Sequence, residues 1–244
     1  MNRNIFGRVF VLAFIMFLAT FPLTVGTFGS DSASTTWGNI KTGNDSTASA
    51  KLAPPVGSCV KLDVIHMPQV PPGTDWNSSK NCGQTSVLMC VDYLKRMCFA
   101  SSAITAENKW LACATGDKRY LDVYGYFTGG TRIGLLGDLA RNYWGYKNSV
   151  ATTNFCVGID GLYNELKAGR PIVVEVINNM YPAPISASTY HFMVLTGMSI
   201  GSNDTNSYVW VNDPAKTQGK DNKYSLQQFK KSWANLNNQC VFIR

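Results

Sequence analysis

Cys82 is the residue whose type and position best suit covalent chemistry. It stands in NCGQTSVLMCVDYL, after a loop rich in proline, glycine and small polar residues and at the start of a predicted helix over 82–97. Unpaired backbone N–H groups and the helix dipole favour negative charge at such a position, and a thiol attacks an acyl group only as thiolate. Cys82 is therefore the candidate nucleophile.

Two further side chains would complete such a site. An imidazole must share the thiol proton and return it to the leaving group, and a polar group must orient that imidazole. Of the 2 histidines, His191 opens the predicted strand HFMVLT, and Asp213 follows the predicted strand YVWVN, so neighbouring strands would bring the two together. His66 is the alternative base. Asp213, which precedes a proline, is equally suited to an Asx turn.

An oxyanion site beside Cys82 would need hydrogen-bond donors. The backbone N–H of Cys82 is one, and a side-chain amide from the preceding loop is the other, for which Gln69 is the candidate. Gln84, in the first turn of the helix, is the alternative amide. It is also placed to complete a capping box with Asn81 as the N-cap.

The remaining elements predict an α+β domain, with helices first and antiparallel strands afterwards. In this prediction the helix that carries Cys82 packs on the C-terminal sheet. Ser225 caps the last helix, with Phe229, Trp233 and Leu236 on its apolar side. The predicted strands are 60–67, 171–177, 191–196, 208–212 and 239–243, and the other predicted helices are 102–113, 131–143 with Thr131 as its cap, and 160–167.

The first part of the chain predicts export. In residues 1–29, Arg3 and Arg8 precede an uncharged apolar run, which is typical of a secretory signal or, since the run approaches the length of a bilayer span, of a membrane anchor. Residues 30–57 are rich in Ser, Thr, Gly and Asn and predict a flexible linker to a folded domain over 58–244. The expected location is secreted, periplasmic or cell-surface, with membrane contact only through the N-terminal segment.

Seven cysteines in an exported chain predict disulfide bridges, with one thiol left over. We expect Cys82 to be that thiol, and the suggested pairs are Cys59 with Cys240 and Cys98 with Cys113. Cys90 also suits an unbridged core position, as its helical phase suggests. Because no cysteine or histidine cluster has zinc spacing, neither a metal nor another cofactor is expected.

The net charge of +7 is spread along the chain rather than clustered. Lysines and arginines do not alternate with aromatic residues as they do in nucleic-acid-binding surfaces. The sequence therefore predicts no nucleic-acid partner.

The order of these segments resembles the papain-like cysteine peptidases related to the double-glycine peptidases that process bacteriocin leader peptides. Six segments carry the resemblance: a glutamine loop with NCGQTSVLMCVDYL, GGTRIGLLGDLARNYWGY, GLYNELKAGRPIVVEV, HFMVLTGM, VWVNDP and YSLQQFKKSW. The resemblance implies a papain-like fold and a peptide or protein substrate. It also implies Cys82 as nucleophile, His191 as general base and acid, Asp213 as the orienting residue and Gln69 as oxyanion donor.

This sequence differs from the family pattern at two points, and two hypotheses other than a peptidase are consistent with it. Many relatives carry proline where this chain has Gln84, and Gln69 precedes Cys82 by more residues than is usual in papain-like enzymes. The same residues in the same order also serve cell-wall amidases and transglutaminases, although cell-wall amidases usually have a DCSG-like motif in place of NCGQ. A non-catalytic binding module on the same scaffold is the third hypothesis.

Overall fold

The computed structural model describes residues 53–69, 80–95, 106–107, 109–111, 131–152, 157–177, 180 and 190–244. The predicted signal segment 1–29, and the linker before residue 53, lie outside these ranges. The elements are β1 (Cys59–Lys61), α1 (Cys82–Lys95), α2 (Ile133–Asp138) with a π-helical turn (Leu139–Tyr143), β2 (Val150–Thr152), α3 (Ile159–Lys167), β3 (Ile172–Ile177), β4 (Tyr190–Ser199), β5 (Tyr208–Asn212), β6 (Asn222–Ser225), α4 (Leu226–Ala234) and β7 (Cys240–Phe242).

The strands form one antiparallel sheet in the order β2-β7-β3-β4-β5-β6, and β1 also pairs with β4. Strand β4 is the longest, and it pairs with β3 through its first half and with β1 and β5 through its second half. Strand β3 has the sequence IVVEVI and is buried at every residue except Glu175. Such a run of β-branched residues is typical of a strand covered on both faces. The predicted mixture of helices with an antiparallel sheet is confirmed.

A glycine allows β1 to join β4. The pairing of β4 with β5 shifts in register between Leu195 and Gly197, and Gly197 lies opposite Lys61 of β1. A Cβ atom at Gly197 would lie 2.7 Å from the carbonyl oxygen of Val60. The missing side chain therefore lets the β1 backbone approach closely.

Helix α1 contacts β4 and β3. Its residues from Gly83 to Asp92 are all buried, so the helix has more than the single buried face that its sequence predicted. A helix surrounded on all sides is part of the domain core. Val87, Met89 and Val91 join the same apolar cluster as β3 and β4.

The segment predicted as a strand over 60–67 is a strand only at its start, because β1 ends at Lys61. The N–H of Leu62 still donates to the carbonyl of Thr196 at 2.8 Å, and the residues after it are held by side-chain contacts instead of a strand ladder. Asn212 donates through Nδ2 to the carbonyl of Val64 at 2.9 Å, and the N–H of Met67 contacts the sulfur of Met89 at 3.2 Å. These contacts hold the segment from Val64 to Met67 between α1 and the end of β5.

Two predicted helix caps have different outcomes. Ser225 caps α4 as predicted, since its hydroxyl accepts from the N–H of Gln228 at 3.2 Å. The prediction for Thr131 is wrong, because Arg132 is the N-cap of α2 and makes no side-chain capping bond. The predicted helix 131–143 also divides, since α2 gives way to the π-helical turn after Asp138. Of the predicted helix 102–113, the described residues 106–107 and 109–111 are helical.

The predicted bridge between Cys59 and Cys240 is wrong. Cys59, Cys82, Cys90 and Cys240 all carry free thiols. Cys59 lies opposite Ser199 at the end of β4, whereas Cys240 lies opposite Val174 of β3, which pairs with β4 six residues earlier, at Met193. Six strand residues span roughly 20 Å, far beyond the reach of a disulfide. Cys98 and Cys113 lie outside the described residues.

In the part of the chain that the structure describes, none of the helices has the length and apolar character needed to cross a membrane.

Candidate active site

Cys82 is the first residue of α1 and is partly buried. The carbonyl of the preceding Asn81 accepts from the N–H of Thr85 at 3.0 Å, which closes the first helical turn. A Cβ atom at the neighbouring Gly83 would lie 2.8 Å from the methyl carbon of Thr131. Glycine therefore lets the start of α2 pack directly beside the candidate nucleophile.

His191 and Asp213 lie together, as predicted from their positions at two strand ends. The Nε2 atom of His191 donates to Oδ1 of Asp213 at 2.7 Å, and both residues are buried. Because Nε2 is engaged by Asp213, Nδ1 is the ring nitrogen available to Cys82. The thiol of Cys82 lies close enough to affect the protonation of the ring.

The charges of these groups are interdependent. Burial of the His191 ring acts to lower its pKa, but hydrogen bonds to Asp213 and Cys82 and the negative charge of both partners outweigh burial and raise the pKa to about 9. Burial acts to raise the pKa of Asp213, and it is outweighed by the hydrogen bond and positive charge of His191, so this pKa is lowered. The site thus favours the protonated form of the His191 ring beside an ionised Asp213 carboxylate.

Asp213 also forms the Asx turn that its sequence position suggested. Its Oδ1 atom accepts from the N–H of Ala215 at 3.0 Å, in addition to His191. Its other carboxylate oxygen lies 3.2 Å from the Nζ atom of Lys216. One carboxylate therefore holds both the turn and the imidazole.

His66, the alternative base, lies behind Asp213. Its Nε2 atom donates to the backbone carbonyl of Asp213 at 2.8 Å. The N–H of Asp213 donates to the carbonyl of Gly219 at 2.8 Å, and a Cβ atom at Gly219 would overlap the Asp213 carbonyl and approach the His66 ring. His66 thus supports the loop that carries Asp213.

The two candidate amides have different surroundings. Gln69 is joined to the Asp213 loop, since its N–H donates to the carbonyl of Pro214 at 2.7 Å, and 7% of its surface is exposed. Gln84 is fully buried inside α1, and among the described residues neither of its side-chain amide atoms has a hydrogen-bond partner. The predicted capping box between Gln84 and Asn81 is therefore wrong.

Sequence reasoning missed Lys216 and the contact made by His66. Lys216 stands three residues after Asp213 in DPAK, a spacing that brings two side chains together when the turn folds back. The N–H of Lys216 donates to the Asp213 carbonyl at 3.2 Å, which closes that turn. The spacing was thus a usable signal. His66 offered no such signal, because its partner is a backbone atom distant in sequence.

Across the described residues, no group of three or more His, Cys, Asp and Glu side chains is arranged to hold a metal ion.

Comparison with known proteins gives one family and one fold. A sequence model of the Peptidase_C39 like family matches residues 61–241. The crystal structure of a Bacillus anthracis protein, assigned as a C39-like peptidase, has a TM-score of 0.55, covers 77% of this chain and 98% of that chain, and is 20% identical in sequence. At this identity the match shows a shared fold alone. A search of curated proteins gives no match.

Proposed function

This chain belongs to the Peptidase_C39 like family, and from that membership we propose that it is an exported cysteine peptidase whose catalytic residues are Cys82, His191 and Asp213. The observation that carries the proposal is the position of His191. It donates to Asp213 at 2.7 Å on one side and interacts with the Cys82 thiol on the other. An imidazole between a thiol and a carboxylate is the arrangement that nucleophilic acyl transfer requires.

In the first half of the reaction, the Cys82 thiolate attacks the carbonyl carbon of the scissile peptide bond, and a carbon–sulfur bond forms. The carbonyl oxygen takes up the displaced electron pair. The His191 imidazolium then gives its proton to the leaving nitrogen, so that the carbon–nitrogen bond breaks and the amine product departs. The acyl group stays on Cys82 as a thioester.

In the second half, neutral His191 accepts a proton from water while the water oxygen attacks the thioester carbonyl. The carbon–sulfur bond breaks, the carboxylic acid product leaves, and the thiolate–imidazolium pair is restored. The Asp213 carboxylate keeps the ring in one orientation and stabilises its positive charge throughout.

Gln69 is the proposed side-chain donor to the oxyanion, together with the backbone N–H of Cys82. An oxyanion donor must reach the reacting carbonyl. Gln84 is fully buried, whereas Gln69 keeps part of its surface exposed and is held to the loop beside Asp213. This difference in burial favours Gln69.

The test is cleavage of a peptide library, with new termini identified by mass spectrometry. We expect wild-type protein to generate termini that the Cys82→Ala variant does not. Cys59→Ser is the matched control, because Cys59 is an exposed thiol on β1, and this variant should cleave as wild type does. Equal cleavage by the Cys82→Ala variant would refute the proposal.

The alternative functions give different results in parallel assays. Release of soluble fragments from peptidoglycan, without peptide cleavage, would identify a cell-wall amidase. Transfer of an acyl group to an added amine in preference to water would identify a transglutaminase. A Cys82→Ser variant that retains every measured activity and phenotype would identify a binding module.

Export is proposed from residues 1–29, where Arg3 and Arg8 precede an apolar run. Fusion of these residues to a reporter that is active only outside the cytoplasm should give activity. Replacing three apolar residues of the run with glutamate should abolish it. N-terminal sequencing of the exported product would distinguish a cleaved signal from a retained anchor.

A further inference from the structure

A cavity of about 670 Å³ lies between α2, strands β3 and β4, and the segment that follows α4. One of its lining residues, Thr131, packs against Gly83, the neighbour of Cys82. Glu175 and Tyr190 lie on the face of the β3–β4 pair opposite to His191, because His191 pairs with Val176. The volume is in the range of small-ligand sites. A peptide bound at Cys82 would therefore reach this cavity past Thr131.

Glu175 supplies an unbalanced negative charge in the cavity wall. Its carboxylate makes no hydrogen bond or ion pair with any residue that the structure describes. Two comparable carboxylates are both paired with arginines. Asp138, which also lies in the wall, binds Arg141 at 2.6 Å. Glu165, which is buried, binds Arg170 and Arg244. Burial without a partner raises the pKa of Glu175 to about 7. A cation brought next to this carboxylate would remove that cost.

The rest of the wall suits the stem of a long side chain. Ile133, Leu135 and Leu236 contribute apolar surface, and Tyr190 is 46% exposed. Lysine and arginine pack their methylene stems on apolar surfaces and place their charged ends against carboxylates or aromatic faces. The wall thus offers an apolar surface for the methylene stem and a carboxylate for the charged end.

We propose that this cavity is a substrate subsite for a lysine or arginine side chain, with the Glu175 carboxylate as its counter-charge. This assignment deepens the proposed peptidase function and rests on it. Arg132, the one cation among the described residues of the wall, is exposed. Water and salt screen its charge, so the partly buried Glu175 dominates inside the cavity.

The first experiment measures kcat/KM for a cleaved peptide in which each position near the scissile bond is changed in turn to lysine, arginine, norleucine, glutamine or glutamate. At one position we expect lysine or arginine to exceed norleucine by at least about 10-fold. The Glu175→Gln variant should lose this preference, so that its kcat/KM values for the lysine, arginine and norleucine peptides become similar. Asp63→Asn is the matched control, because Asp63 is an exposed carboxylate paired with Lys220.

The second experiment needs no catalysis. n-Butylguanidinium and its neutral analogue n-butylurea are titrated into the Cys82→Ala protein, and amide chemical shifts are followed by NMR. The cation should shift residues around the cavity, and n-butylurea should not. Binding should strengthen between pH 5.5 and pH 8, as Glu175 ionises, and should be lost in the double variant that also carries Glu175→Gln.

The two experiments separate the subsite from the peptidase proposal. Peptide cleavage with no charge preference, together with no binding of n-butylguanidinium, overturns the subsite and leaves the peptidase. Binding of the cation that depends on Glu175, with no peptide cleaved, supports the cation site and overturns the peptidase. A preference for basic residues that survives in the Glu175→Gln variant also overturns the assignment.

Discussion

The Nε2 atom of His191 lies 2.7 Å from Oδ1 of Asp213, and that same oxygen also accepts the N–H of Ala215 at 3.0 Å. One carboxylate oxygen thus fixes both a side chain and the turn that carries it. The orientation of the imidazole is therefore coupled to the backbone of residues 213–215. A substitution that preserves the size of Asp213 but removes its charge tests the electrostatic part of this coupling.

Asp213→Asn should lower the pKa of His191 from about 9, because burial of the ring then acts without the carboxylate that opposes it. The measurement is an NMR titration of the imidazole, which is simple in a chain with 2 histidines, and a His66→Gln variant assigns the signals. Since the pKa of His191 is raised on folding, its stabilising contribution is full below about pH 6.5 and is lost as pH rises towards 9. Peptide cleavage should fall by roughly 10²- to 10⁴-fold.

Asp204→Asn is the control for this charge change, because Asp204 is a surface carboxylate paired with Lys230. It should leave the titration of His191 unchanged. An unchanged His191 titration in the Asp213→Asn variant would show that the short contact does not control the imidazole.

Brief treatment of the folded protein with iodoacetamide should label Cys82 but leave Cys90 and Cys240 unmodified. Both are buried. Burial raises the pKa of the Cys90 thiol and raises that of Cys240 to about 12, so little thiolate exists to react. Mass mapping of labelled peptides gives the answer, and the exposed Cys59 serves as the internal reference. Labelling of Cys90 before Cys82 would contradict this description of the helix.

Glu175→Gln should change how stability depends on pH. Folding raises the pKa of Glu175 from 4.5 to about 7, so the wild type loses stability as pH rises between these values. The variant lacks this loss and should be the more stable protein at pH 8, by roughly 1–2 kcal/mol. Urea unfolding at several pH values measures the difference. Curves that stay parallel from pH 4 to pH 8 would argue against an unpartnered carboxylate.

Ser225→Ala should destabilise the fold by about 1 kcal/mol, because the N–H of Gln228 loses its capping acceptor at the start of α4. Urea unfolding again provides the measurement. Gln227→Ala, an exposed change in the same helix, controls for helix propensity and should have little effect. Equal effects of the two substitutions would mean that the cap contributes nothing.

The sequence predicted best those elements whose formation depends on residues close to each other in the chain. The strand YVWVN and the cap at Ser225 follow from residues within a few positions of each other. In contrast, β2 and β6 were missed, because VAT and NKYS are short and form strands only by pairing with β7 and β5. The predicted strand over 60–67 failed for the opposite reason, since apolar residues continue there without a partner strand.

The same distinction applies to the candidate site. The pairing of His191 with Asp213 could be predicted from two strand ends that neighbour each other. The position of His66 could not, since it depends on how the loop 213–219 turns back towards the segment after β1. The disulfide prediction rested on cysteine parity, which contains no information about the distance between Cys59 and Cys240.

Gly219 gives a criterion for classifying related sequences. Any side chain there would displace the Asp213 carbonyl, and a Cβ atom would lie 2.5 Å from Nε2 of His66. A relative that keeps cysteine, histidine and aspartate but carries a larger residue at this position must have a rebuilt aspartate loop. Alignments that score only the three reactive residues would group such a sequence with this one, whereas the glycine separates them.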